Sequence, residues 1–121
     1  MKKLRLFIIV FTVLILFLSI FYNGRVTLRI NNLTNEDINY LNLTYTGLKE
    51  SINIPSIKSN NSIRLNINLS DDFREGSMKI YYDKNKERKE FVIIGYLQKG
   101  YNETIDVNII NNNGFIFITS E

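Results

Sequence analysis

Residues 6–22, LFIIVFTVLILFLSIFY, carry no charge, and only Thr12 and Ser19 interrupt the apolar run. As a helix the run spans about 26 Å, against a bilayer hydrocarbon core of about 30 Å. Arg5 can extend its stem outward on one side, and Tyr22 suits the headgroup level on the other. Three structures accommodate such a run: an uncleaved signal-anchor, a cleaved signal peptide, or a core helix of a soluble protein. Cleavage needs small residues at two spaced positions. The chain has no alanine, and the nearest pairs, Ser19 with Phe21 and Tyr22 with Gly24, each place a bulky side chain where a small one is required. There is no cysteine for lipid attachment. The expectation is a single-pass cell-membrane protein, with secretion after cleavage as the alternative. Residues 1–5 form a basic cytoplasmic n-region, 6–22 a transmembrane signal-anchor helix and 25–121 an extracytoplasmic domain. Lys2, Lys3 and Arg5 outweigh Arg25 and Arg29, so the positive-inside rule sets this orientation.

The chain's net charge of +3 equals those three leading cations, so residues 25–121 are electrically balanced. No basic stripe with interleaved aromatics is present, which argues against nucleic acid as a partner. Histidine, cysteine and tryptophan are all absent. That removes zinc sites, cysteine nucleophiles and serine–histidine triads in their usual forms, and no disulfide can support the domain. No cofactor and no metal are expected. Isoleucine and asparagine dominate, as AT-rich coding sequence would produce. Asparagine excess also accounts for the Asn-x-Ser/Thr triplets at Asn32, Asn42, Asn60, Asn68 and Asn102 without invoking glycosylation.

Beyond Tyr22 the apolar period is two, which argues for half-buried strands. Val26, Leu28 and Ile30 alternate with polar residues, and so do Ile63, Leu65, Ile67 and Leu69. Leu41, Leu43 and Tyr45 share a phase that Ile38 and Tyr40 oppose, predicting a bulge near Tyr40–Leu41. Ser51–Ile54 is a short strand stopped by Pro55. Met78, Ile80 and Tyr82 point inward, with Lys79, Tyr81 and Asp83 outward. Phe91–Leu97 is nearly all apolar, as in a strand covered on both sides, or a central one, and Gly95 within it predicts a bulge or a close backbone approach. Asn113-Gly114 predicts a type I′ hairpin turn. Seven or eight strands at this spacing predict an all-β fold: an immunoglobulin-like antiparallel β-sandwich, or alternatively a small barrel, preceded by the one transmembrane helix.

Few constellations carry chemistry. Asp83, Asn85 and Glu87 open like a calcium loop, but Arg88 stands where glycine is needed and Ile94 where glutamate is needed. Asp71, Asp72 and Glu75 share one polar loop without a ligand spacing; a solvated loop is the simpler reading. The string Gly95–Tyr101, with Tyr96, Lys99 and Tyr101, offers aromatic contact area around a turn. Its alternative is packing, with a tyrosine hydroxyl bonded to backbone at the sandwich end. Tyr81 on the outward face completes the candidate interaction surface: Tyr81, Tyr96, Lys99 and Tyr101.

The motifs VTLRINN, DINYLNLTYTG, INIPSI, GSMKIYYD and IIGYLQKGY, following an apolar anchor, resemble those of small uncharacterised membrane-anchored or secreted β-sandwich proteins of low-GC Gram-positive bacteria. That resemblance implies an envelope location and carries no activity. Pilins share a basic leader and apolar helix, but their glycine before the helix and glutamate inside it are missing. The expected function is a membrane-tethered extracytoplasmic binding module whose partner is another envelope protein or peptide. A structural or immunity-type envelope factor is the alternative. A hydrolase using Asp71, Asp72 or Glu75 is the weakest reading, since no nucleophile, base and orienter occur together; the chain is read as not an enzyme.

Overall fold

The computed structural model describes residues 1–21 and 24–121, with side chains 19–21 excepted. Helix α1 (Lys2–Phe21) is followed by eight strands: β1 (Arg25–Asn32), β2 (Asn42–Tyr45), β3 (Ile52–Asn53), β4 (Ser62–Asn68), β5 (Glu75–Lys84), β6 (Glu87–Gln98), β7 (Asn102–Asn112) and β8 (Phe115–Ser120). They form two four-stranded sheets, ordered β4-β1-β7-β8 and β3-β2-β5-β6, facing each other as a sandwich. The fold is mostly β, as the period-two pattern predicts.

The core follows from that alternation. Val26, Leu28 and Ile30 of β1 and Val107 and Ile109 of β7 are fully buried against Leu43, Met78, Ile80 and Leu97 of the opposite sheet. Each such side chain contributes about 1.5–3 kcal/mol of burial. Loops close both ends. Ile38 and Ile57 exchange backbone hydrogen bonds of 2.9 and 2.8 Å at the end away from α1. Phe73 packs edge-on against Tyr45, 5.6 Å between centroids, at the end where the chain enters from α1.

Several expectations change. The order β4-β1-β7-β8 is not an immunoglobulin arrangement, which keeps the first two strands in one sheet. Here β1 and β2 lie in opposite sheets, and β1 pairs in parallel with β7. The helix begins at Lys2 rather than Leu6, so its first turn holds Lys2, Lys3 and Arg5. Among the described residues no helix is long and apolar enough to cross a membrane. Tyr22 and the end of the apolar run lie outside the fully described residues. Residues 38–41 form no strand; the Ile38–Ile57 bridge and a bond from the Ile54 amide to the Leu41 carbonyl are made there, and β2 starts at Asn42. The β6 strand is an edge strand rather than a central one, with Val92 and Tyr96 exposed.

The bulge predicted at Gly95 is present. Gly76 faces Leu97 while Met78 faces Ile94, so β6 carries one extra residue there, and a second between Ile94 and Val92. These irregularities bury both Ile93 and Ile94, which a regular strand would place on opposite faces.

The Asn113-Gly114 turn has positive φ at both residues, 53° and 83°. The β5–β6 hairpin turns on Asn85 and Lys86 with φ of 53° and 65°, a geometry that lysine adopts at a cost of about 1–2 kcal/mol. Lys86→Gly is therefore expected to stabilise the domain by about 0.5–1 kcal/mol after glycine's entropic penalty. A raised urea midpoint at constant slope would register it; an unchanged or lowered midpoint would count against strain at this turn.

Candidate interaction surfaces

Three of the four candidate residues gather at the end of the sandwich nearest α1. The β6–β7 connection places Tyr96, Lys99 and Tyr101 beside the chain's entry, where the Arg25 amide donates to the Tyr101 carbonyl at 2.9 Å. Each polar group there is already engaged. The Tyr96 hydroxyl donates to Glu75 at 3.1 Å, the Lys99 ammonium donates to the Asp71 carbonyl at 3.1 Å, and the Tyr101 hydroxyl donates to Glu103 at 2.8 Å. The Glu75 carboxylate raises the pKa of the Tyr96 phenol. The tyrosines that tie a hydroxyl to the backbone are Tyr45, which accepts from the Ser70 amide at 3.2 Å, and Tyr82, which donates to the Ile116 carbonyl at 3.4 Å.

Tyr81 is not with them. It does point outward, as alternation requires, but it is 8% exposed. The β5 strand lies inside its sheet, so neighbours cover the ring. The Arg88 guanidinium sits 4.1 Å from its centroid, and its hydroxyl lies 2.6 Å from that of Ser51. Tyr81 is therefore withdrawn from the interaction surface.

The acidic loop lines shallow clefts at the same end. One, of about 180 Å³, is bordered by Ser70, Asp72, Arg74 and Glu75. Among the described residues no group of three or more acidic, histidine or cysteine side chains is placed to hold a metal ion. Of the asparagine triplets, Asn32 is fully buried, so it is closed to modification in the folded domain.

Besides α1, a second exposed apolar feature lies on the outer face of the β4-β1-β7-β8 sheet, at the end away from α1, where Phe117 also packs edge-on against Phe91 with 5.5 Å between centroids. The Leu33 amide donates to the Ile109 carbonyl at 2.9 Å, prolonging the β1–β7 ladder by one residue. That sets Leu33 beside Ile110, and Ile110 faces Phe117 across the β7–β8 pair. Leu33, Phe117 and the adjacent Phe115 are 56%, 50% and 64% exposed. The sequence contains the signal for it. Phe115-Ile116-Phe117-Ile118 is apolar on both phases, so a strand with one face in the core must present the other to solvent or to a partner. Alongside this row run polar ones. Arg64, Arg29 and Asp106 stand side by side on neighbouring strands, and Glu121 follows through its paired backbone bonds with Asp106. Arg29 holds Asp106 in a bidentate pair that includes an Nη2–Oδ2 bond of 2.9 Å, and this pairing lowers the Asp106 pKa below its ordinary value.

Neither protein-family models, nor curated proteins, nor solved structures give a match to this chain.

Proposed function

We propose that the chain is a membrane-tethered extracytoplasmic interaction module. The helix is the tether, and the outer face of the β4-β1-β7-β8 sheet is the binding surface. The observation that supports this reading most is the exposure of α1. Its side chains from Leu6 to Leu18 are apolar on every side except for Thr12, whose hydroxyl is satisfied by the Ile8 carbonyl, and the large ones are about half or more exposed, Leu6 at 64% and Leu18 at 53%. None of them belongs to the sandwich core. A helix that is apolar all round requires an apolar surrounding, and the run continues uncharged beyond Leu18 in the sequence. Lys2, Lys3 and Arg5 then stay on the cytoplasmic side.

The second support is the position of the apolar row. From Arg25 to Leu33 the chain advances about 26 Å, so the row is carried away from the tether, where a partner can reach it. Exposed apolar clusters rimmed by polar residues are characteristic of docking surfaces.

Membrane fractionation of full-length protein tagged at its C-terminus tests the tether. The intact 14.2 kDa chain is expected to stay with membranes through an alkaline carbonate wash. Recovery of a shortened domain in the medium, or of the intact chain in the wash, would sink the reading.

A further inference from the structure

We infer that the partner of this face is a second copy of the same chain, packed face to face about a twofold axis that runs parallel to the strands between β1 and β7. The inference rests on reading this face as an interaction surface, and it names the occupant.

The argument is the order of residues across the sheet. Reading from β4 to β8, the face carries Arg64, Arg29, Asp106 and Glu121 in one row. The next rows toward the far end are Ser62, Asn31, Asn108 and Thr119, then Leu33, Ile110 and Phe117. A twofold axis along the strands sets each row opposite the same row of the partner with left and right exchanged. Arg64 then faces the partner's Glu121, and Arg29 faces the partner's Asp106. Leu33 meets the partner's Ile110 on both sides of the axis, Phe117 lies opposite the partner's β4 end, and amides and hydroxyls meet amides and hydroxyls. Within one chain Arg29 and Asp106 bond each other. The side chains of Arg64 and Glu121, both exposed, have no hydrogen bond or ion pair among the described residues. Within one chain Arg64 acts on Asp106 through space, but Asp106 is already bonded to Arg29; the axis gives each outer charge of the row a direct counter-charge.

Other symmetric arrangements lack this match. A twofold axis in the plane of the sheet but across the strands would set Arg64 against Arg64 and Arg29 against Arg29 when centred on their row. It would also bring the apolar row onto the Asn68, Arg25 and Asn102 row. Pairing of two β8 edges would turn the two Arg25 ends in opposite directions. The axis along the strands points both Arg25 ends the same way, so both helices enter one membrane. The face measures about 19 Å by 26 Å, roughly 500 Å² per copy and about 1,000 Å² for the pair, which reaches the lower bound for a specific interface.

The test uses the purified full-length chain in detergent, with its mass read by sedimentation or light scattering after the detergent contribution is subtracted. Twice 14.2 kDa is expected. Arg64→Glu and Glu121→Arg, each at an exposed position, should each weaken the dimer about tenfold or more, because every dimer gains two like-charge contacts. Combining them should restore the wild-type dissociation constant, a recovery that damage to the fold would not produce. A wild-type chain that remains at 14.2 kDa, or a double variant no tighter than the single ones, overturns the dimer. In that event Phe117→Ser separates the two readings. Loss of proteins co-purified from native membranes would leave the surface with a different occupant, and unchanged co-purification would overturn the surface as well.

Discussion

Asn32→Ala is expected to cost the sandwich about 3 kcal/mol, a large share of the roughly 5–15 kcal/mol that a domain has. Asn32 ends β1 with its side chain turned inward and fully buried. Its amide nitrogen donates to the Glu36 carbonyl at 2.8 Å and the Ile57 carbonyl at 3.0 Å. Its oxygen accepts from the Thr34 amide at 3.0 Å and the Thr34 hydroxyl at 2.7 Å. All four of its hydrogen-bonding positions are used. Through them one side chain joins the loop after β1 to the loop before β4, and Ser59 adds a hydroxyl bond to the Thr34 carbonyl at 2.7 Å. Alanine would strand the Thr34 amide at about 1–3 kcal/mol and remove three further bonds at about 0.5–1.5 kcal/mol each, although the Ile57 carbonyl keeps the Ile38 amide and the Glu36 carbonyl keeps the Thr34 hydroxyl; it would also leave a void. Asn31→Ala is the control. Asn31 bonds Asn108 and Ser62, but on the outer face, where water replaces lost partners, so less than about 1 kcal/mol is expected. Urea unfolding followed by circular dichroism separates the two cases: the Asn32 variant's midpoint should fall far below the Asn31 variant's at similar slope. Equal midpoints would show that the two loops hold without the buried amide.

Gly76→Ala is the second substitution expected to act strongly. A Cβ at Gly76 would stand 2.2 Å from the Thr46 hydroxyl oxygen and 2.3 Å from the Thr46 Cβ. Rotating the threonine relieves the first contact but not the second. Thr46 is also held, because its hydroxyl accepts from the Ser77 amide at 3.0 Å and its own amide donates to the Ser77 carbonyl at 3.1 Å. Overpacking of this kind costs about 1–3 kcal/mol, and a loss of about 2 kcal/mol corresponds to roughly 10 °C in melting temperature for a domain this size. Thr46→Gly should recover most of that loss in the Gly76→Ala background. A double-mutant cycle on thermal unfolding measures the coupling, and a coupling near zero would remove the contact as the cause. Gly95→Ala should be nearly silent, since no atom lies within 4 Å of a Cβ there.

Those two glycines mark what was legible in the chain. Gly95 drew notice because it interrupts an apolar run, and a bulge does occur beside it. Gly76 sits between a polar loop and a strand and drew none. Its constraint comes from Thr46, thirty residues earlier in the chain, brought close only when β2 pairs with β5. Asn32 is similar. It stood among seventeen asparagines and in a glycosylation-like triplet, and residue type does not separate it from Asn31; only strand phase does. One step of strand phase sends Asn31 to the outer face and Asn32 into a closed network.

The candidate surface divides in the same way. Tyr96, Lys99 and Tyr101 were brought together by their own turn, so sequence proximity sufficed. Tyr81 failed because its burial depends on Arg88 and Ser51, which reach it from either side. The row Leu33, Ile110 and Phe117 escaped notice because its members come from three strands, two of them 77 residues apart in a parallel pair.

The amino-acid sequence by itself determined what is periodic or local: the apolar helix, the alternation that defines most of the strands, and the turn at Asn113-Gly114. Side-chain period and turn conformation are set by immediate neighbours along the chain. Only the tertiary structure decided which strands share a sheet, that β6 stands at an edge, and which outward residues are covered. Those outcomes depend on pairing between distant segments, where several registers satisfy the same alternation and close packing of the two sheets selects one.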